Sequence, residues 1–272
     1  MREMSLDEIQ QVSLDILEEV HKFCVANGIK YTLQGGTLLG AIRHNGFIPW
    51  DDDIDIAMPR PDYERFCKLY ETSGKYKLFC NELSKDSCYL AFARICEMHN
   101  TFVDCSEIPW TNVDTGVWID VFPLDGADDI LEEASITMNR MKALWENQYR
   151  VRYAHRRLSH VKGFSDKVKL LFQKMLFCST SPIKRHIESC KSIAYGDTSH
   201  YCNFSYCDYG MHEYHRTDVL RRTILHDFAG HNFCIMEGYD EALREKFGNY
   251  MQPPPIEKRV RQHDANKYYW KD

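Results

Sequence analysis

No run of about 18 uninterrupted apolar residues occurs in this chain of 272 residues, which excludes a hydrophobic spanning helix. The start, Met1-Arg2-Glu3-Met4, has no apolar signal core, so a signal peptide is not expected. Internal repeats and low-complexity segments are lacking too, and neither a repeat array nor a disordered chain fits. The 11 cysteines are odd in number and recur at no framework spacing, which predicts reduced thiols and a cytoplasmic protein. Excess basic charge is absent: 34 Lys and Arg stand against 40 Asp and Glu, a net charge of −6. With no recognition motif beside it, that balance argues against a nucleic-acid partner. What remains is an ordinary globular composition, 44% hydrophobic and 27% charged, long enough for one large domain or a domain with an appended region.

The charge is unevenly spread. Between Arg140 and His186 there are 12 Lys or Arg against two acids, Glu146 and Asp166. An otherwise acidic chain thus carries a basic strip of about +10. Lys167, Lys169 and Lys174 alternate there with Val168, Leu170, Leu171, Phe172, Met175, Leu176 and Phe177. Such a strip suits an anionic membrane surface, an anionic or lipid-linked acceptor, or a solvated helical cap.

Helical spacing is clear from Ile9 through Val12, Ile16, Val20 and Phe23. Ser5 and Glu8 have capping-box spacing ahead of it, and Asn27-Gly28 provides a stop. Strands are predicted at Ile29 to Leu33, Asp51 to Met58, Tyr76 to Cys80, Leu90 to Glu97 and Val117 to Phe122. Short helices follow Gly36 and Pro61. Pro123-Leu124-Asp125-Gly126 reads as a turn, the stretch from about Asp128 to Ala194 as helical, and Tyr239 to Phe247 as a helix stopped at Gly248.

The segment Trp50-Asp51-Asp52-Asp53-Ile54-Asp55-Ile56 is the most informative. On a strand, Asp51, Asp53 and Asp55 share one face while Asp52, Ile54 and Ile56 share the other. Neighbouring carboxylates on that face lie about 7 Å apart, by two steps of ~3.4 Å. Aspartate is a poor strand former and like charges repel, so the pattern calls for a neutralising cation. Hard oxygen ligands suit Mg2+ or Mn2+. The competing account is a solvated acidic edge. Asp120, alone in the apolar run Val117 to Phe122, is either a third ligand or a satisfied structural acid. Gln34-Gly35-Gly36-Thr37 before a helix lets backbone amides approach a phosphate.

From Leu33 to Ile56 the sequence LQGGTLLGAIRHNGFIPWDDDIDI closely resembles the LicD family, which includes the fukutin-type sugar-phosphate transferases. Ala93-Arg94-Ile95, Trp118 to Asp125, and Phe247 to Met251 ahead of Pro253-Pro254 resemble it as well. The resemblance implies an α+β nucleotidyltransferase-like fold, a mixed sheet flanked by helices, with an appended helical region. On that basis residues 1–127 form the catalytic core, 128–200 the basic helical region, and 201–272 a segment packing back on the core.

The resemblance also implies roles. Gly35, Gly36 and Thr37 would cup phosphate, while Asp53, Asp55 and Asp120 would be catalytic and hold Mg2+ or Mn2+ with Asp51. Arg43 and Arg94 become phosphate clamps or structural ion pairs. Trp50 would stack on a base or choline, or cap the core, and Glu213 and His263 fall in stretches similar to family site positions. The implied reaction moves phosphocholine, or a similar alcohol phosphate, from a CDP-linked donor such as CDP-choline to a sugar hydroxyl of a cell-surface or lipid-linked glycan, releasing CMP. That would place the protein in the cytoplasm at the inner face of the membrane.

Two alternatives stay open: nucleotidyl transfer with release of pyrophosphate, and a non-catalytic glycan- or nucleotide-binding protein. One departure stands out, Phe228-Ala229-Gly230 where family members often have Phe-Glu-Gly. His200, Cys202, Cys207, His212 and His215 lie close in sequence, but their spacing is not a standard zinc pattern, so buried thiols and turn histidines are expected. Cys80, Cys88, Cys96 and Cys105 are expected to pack in the core.

Overall fold

The computed structural model describes residues 1–81, 88–105, 109–156, 158, 161–177, 179–261 and 266–271. Its helices are α1 (Leu6–Asn27), α2 (Gly35–His44), α3 (Arg60–Ser73), α4 (Leu131–Ala154), α5 (Phe164–Phe177), α6 (Ser181–Cys190) and α7 (Tyr239–Phe247). The strands are β1 (Arg2–Glu3), β2 (Thr32–Leu33), β3 (Asp55–Pro59), β4 (Lys77–Phe79), β5 (Ala93–Cys96) and β6 (Thr101–Asp104). They continue with β7 (Trp118–Ala127), β8 (His200–Cys202), β9 (His215–Arg216), β10 (Thr223–Phe228), β11 (His231–Met236) and β12 (Lys267–Trp270).

Helix α1 is built as its periodicity demands. Ser5 Oγ accepts from the Glu8 amide at 3.3 Å, Glu8 returns the bond to the Ser5 amide at 2.9 Å, and Gly28 closes the helix at φ 60°. Ile9, Ile16, Leu17 and Val20 are fully buried on one face.

The central sheet runs β2-β3-β7-β5-β4, with β8 and β9 continuing from the far half of β7. Among the described residues only β3 and β7 pair in parallel. Asp55 stands beside Asp120 in that ladder, and Asp120 stands beside Arg94 in the antiparallel ladder of β7 with β5. Three charged side chains therefore occupy neighbouring strands at one level. A mixed sheet flanked by helices is the predicted α+β arrangement.

Two expectations are corrected. The strand predicted over Asp51 to Met58 begins only at Asp55. Upstream, the Asp51 amide donates to Ile48 O in a turn, and the Asp51 carbonyl accepts from Gln10 Nε2. That backbone has already spent its hydrogen bonds, so the alternation of faces does not extend to Asp51, Asp52 and Asp53. The turn predicted at Pro123 to Gly126 is instead part of β7. Asp125, which resembles a turn former in sequence, is buried and held by both Nε and Nη2 of Arg60 at 2.7 and 2.8 Å. The Asp125–Ala127 segment gains β8 as a partner, and this long-range pairing overrides the local turn signal.

A small sheet β1-β12-β6 joins the two ends of the chain. The β10-β11 hairpin turns through Ala229 and Gly230, at φ 55° and 84°. The departure Phe228-Ala229-Gly230 lies at this tip, where the Ala229 amide donates to Asn45 O. The main core draws residues from Met4 to Tyr268 and includes Met138, Met141 and Trp145 of α4. No helix among the described residues is long and apolar enough to cross a membrane.

Candidate active site

A cavity of about 360 Å³ opens at the level of Asp55, Asp120 and Arg94. Its acidic floor consists of Asp53, Asp55 and Asp120. Asp55 is placed by β3 and by Thr37, whose Oγ1 accepts from the Asp55 amide at 2.9 Å. Burial first, then repulsion from Asp53, Asp120 and Asp51, holds the Asp55 carboxyl well above the usual carboxylate range, with Lys246 opposing. Asp120 receives both Nε and Nη2 of Arg94, at 2.6 and 3.1 Å. The Arg94 guanidinium in turn lies 4.4 Å from the Trp118 ring centre and 4.7 Å from that of Trp110. Arg94 thus reaches the cavity, but as the partner of Asp120.

The glycines lie where a side chain could not. Gly35 has φ 57°, and a Cβ on Gly36 would fall 2.8 Å from Asp51 Oδ2. They form the first turn of α2 rather than a loop ahead of it, so the helix N-terminus faces the carboxylates.

Among the described residues, Asp51, Asp52 and Asp53 form the group of acids whose oxygens lie close enough together, within 4.8 Å, to hold a metal ion. Asp52 shares its predicted strand face with Ile54 and Ile56, which are core residues. Its side chain is fully buried, as a core position implies, but it bonds Arg261 Nε at 2.6 Å. The donors left facing the cavity are carboxylate oxygens of Asp53 and Asp55, with Asp51 behind Gly36. This hard, crowded oxygen set fits a divalent cation such as Mg2+ or Mn2+, which would relieve the repulsion at Asp55.

The remaining wall comes from residues that the sequence reading did not select. Lys246 of α7 pairs with buried Glu213, which also accepts from Gln34 Nε2 at 2.8 Å. Its Nζ lies 3.9 Å from the centre of the Tyr209 ring and 3.5 Å from the position a Gly35 Cβ would take. Trp145, Tyr149 and Arg152 line another side. Their spacing on α4, i, i+4 and i+7, marks one helix face and is the sequence signal that would have found them. Tyr206 and Phe122 complete an aromatic surface. Arg152 is pushed down to about 10 by burial and then by Arg94, so an anion entering here would favour its charged form.

Other sequence candidates lie elsewhere. Arg43 donates to Tyr250 O at 2.8 Å and does not line the cavity. Trp50 is half-buried against the core under Arg259, 5.5 Å from its ring centre, and is likewise outside the lining. Glu213 does line it. His263 lies outside the described residues. Cys202 and Cys207 are buried free thiols, while His212 and His215 both bond to Glu245. None of them belongs to a metal-sized group among the described residues. Cys80, Cys88 and Cys96 are buried as expected, and Cys105 is half-buried.

Comparison with known proteins bears on this arrangement. The family described as "LicD/FKTN/FKRP, nucleotidyltransferase domain" matches residues 28–149. The lipopolysaccharide cholinephosphotransferase LicD of Haemophilus influenzae is 29% identical over 273 aligned positions, covering 98% of this chain and 99% of that protein. The human ribitol 5-phosphate transferase FKRP is 45% identical over 49 residues, 16% of this chain and 10% of that protein.

Proposed function

From the premise that this chain belongs to the LicD family, we propose that it transfers an alcohol phosphate to a hydroxyl of a glycan. The donor is a CDP-linked alcohol, phosphocholine is the favoured group, and CMP is released. The observation that carries this reading is the cavity itself, where a carboxylate floor, Gln34 at the head of α2 and Lys246 meet an aromatic wall. The relatives named above act on choline phosphate and ribitol phosphate, which share this phosphate chemistry.

The diphosphate lies at the Asp53, Asp55 and Lys246 end. Amides at the start of α2 and the Lys246 ammonium meet its oxygens. Asp53 and Asp55, with Asp51, would hold a divalent cation that supplies charge neutralisation for the diphosphate and its leaving oxygen. An acceptor hydroxyl attacks the distal phosphorus. Its new O–P bond forms as the bridging bond to CMP breaks, and its proton passes to a carboxylate of the cluster. Arg94 keeps Asp120 aimed into the cavity. The faces of Trp145, Tyr149 and Tyr206 suit a trimethylammonium head, which a flat π surface attracts.

The test offers the protein Mg2+ and a panel of CDP-choline, CDP-ribitol and CDP-glycerol with glycan acceptors, and measures CMP. CDP-choline is expected to give the highest rate, and Asp55→Asn to lower it by about 10²-fold or more. Absence of CMP from every donor, or full activity in Asp55→Asn, refutes the proposal. Pyrophosphate release from CTP would favour nucleotidyl transfer instead.

A further inference from the structure

Helix α5 has one fully buried side chain, Leu170, and rests on α4. Phe177 is half-buried, and six other large apolar residues face out. Phe164 is 85% exposed, Met175 68% and Phe172 59%, and Val168, Leu171 and Leu176 are exposed beside them. At about 100° per residue these six fall in one arc of roughly 140°, opposite Leu170. Lys167 borders one edge of the arc and Lys169 the other, with half-buried Lys174 set further back on the side of Lys167. The helix's one acid, Asp166, lies on the far side and pairs with Lys169 at 3.5 Å. A soluble helix normally hides such a stripe, and the lysines along its edges stand out on a chain whose net charge is −6.

We propose that α5 is an interfacial anchor, lying flat in the surface of an anionic lipid bilayer with its apolar arc among the acyl chains. The choice of occupant rests on charge: lysines on both edges sit at headgroup depth when the arc is immersed, and they select phosphate-bearing anionic lipid. Lys162, Lys184 and Arg185 are exposed nearby in sequence. The surface stands apart from the catalytic proposal, since no α5 residue lines the cavity. Helix α4 links the two, carrying Trp145, Tyr149 and Arg152 into the cavity and supporting α5.

The experiment sediments the full chain with sucrose-loaded vesicles of phosphatidylcholine alone or with roughly one-third phosphatidylglycerol. Binding to the anionic vesicles is expected to exceed binding to the neutral ones by about tenfold or more, and to weaken as salt is raised. The double substitution Phe172→Glu and Met175→Glu should lower anionic-vesicle binding at least about tenfold with unchanged circular dichroism. Lys167→Gln with Lys174→Gln should remove most of the salt-sensitive part. Equal binding to both vesicle types, or no loss in the glutamate variant, overturns the proposal. So does a dimer in sedimentation that the glutamate variant dissociates while vesicles fail to bind, because the arc would then cover a second copy.

Discussion

Lys246 shows how a single side chain joins stability to chemistry. Its ammonium and the Glu213 carboxylate are nearly inaccessible, and the carboxylate also accepts from Gln34, the residue at the N-cap position of α2. Removing one charge of a buried pair typically costs about 3–5 kcal/mol, whereas replacing both by neutral groups is often close to neutral. Lys246→Met is therefore expected to lose stability on that scale and to slow transfer by about 10²-fold. Adding Glu213→Gln should restore most of the stability but not the turnover. Urea unfolding and CMP release on the same preparations check both halves. A double variant that regains activity would make Lys246 merely structural. At this scale the acidic residues and glycines were legible, because Asp and Gly in an apolar run are locally anomalous. Lys246 was not, since a lysine on an amphipathic helix looks like any solvated one until α7 packs against the α2 turn.

Among the elements, those with a local signal were read, including the apolar runs that become β2, β4, β5 and β7, and those without one were not. The capped α1, the helices between Asp128 and Ala194 and the stop of α7 all follow from spacing within one segment. Strands β1, β6 and β12 are two to four residues long, and β1 and β12 pair only where the two terminal segments meet, so no periodicity announces them. The start of β3 was misplaced because hydrogen bonding to Ile48 and Gln10 competes with the ladder.

His186 illustrates a tertiary clamp between elements. In α6, fully buried, its Nδ1 accepts from Gln148 of α4 and its Nε2 donates to Phe204 O. Burial, aided by Arg60, pushes the imidazole down to about 4, while the bond to Phe204 opposes. With the folded value below the unfolded ~6.5, the unfolded chain takes the proton first. Stability from this group is complete above pH ~6.5 and is lost as the pH falls toward ~4, by about 1.4 kcal/mol per unit. Between pH 7 and 5 the wild type should therefore lose about 2 kcal/mol more than His186→Gln does. Equal losses in urea titrations at the two pH values would remove His186 from the account.

Across the whole molecule, the basic strip resolves into two surfaces. Arg152 turns inward to the cavity, while Lys167 and Lys169 edge the exposed face of α5. Net charge could not separate them, because the division depends on which side of α4 and α5 meets the body. The same packing bears on how the chain unfolds. Met138, Met141 and Trp145 of the helical region sit in the core that also holds Tyr268 of β12, next to Trp118 with ring centres 6.0 Å apart. Removing the Tyr268 ring should therefore cost the central sheet and the helical region together. A buried aromatic replaced by alanine typically costs about 3–5 kcal/mol, and in a chain of this size each kcal/mol lowers Tm by roughly 2–4 °C. Tyr268→Ala is thus expected to drop Tm by about 10 °C in a single transition, seen alike by tryptophan fluorescence and by far-ultraviolet circular dichroism. If the fluorescence midpoint moved while most of the helical signal kept its original melting temperature, the region from 128 to 200 would be an independent unit. The shared core would then be too weak to couple the α5 surface to the active-site cavity.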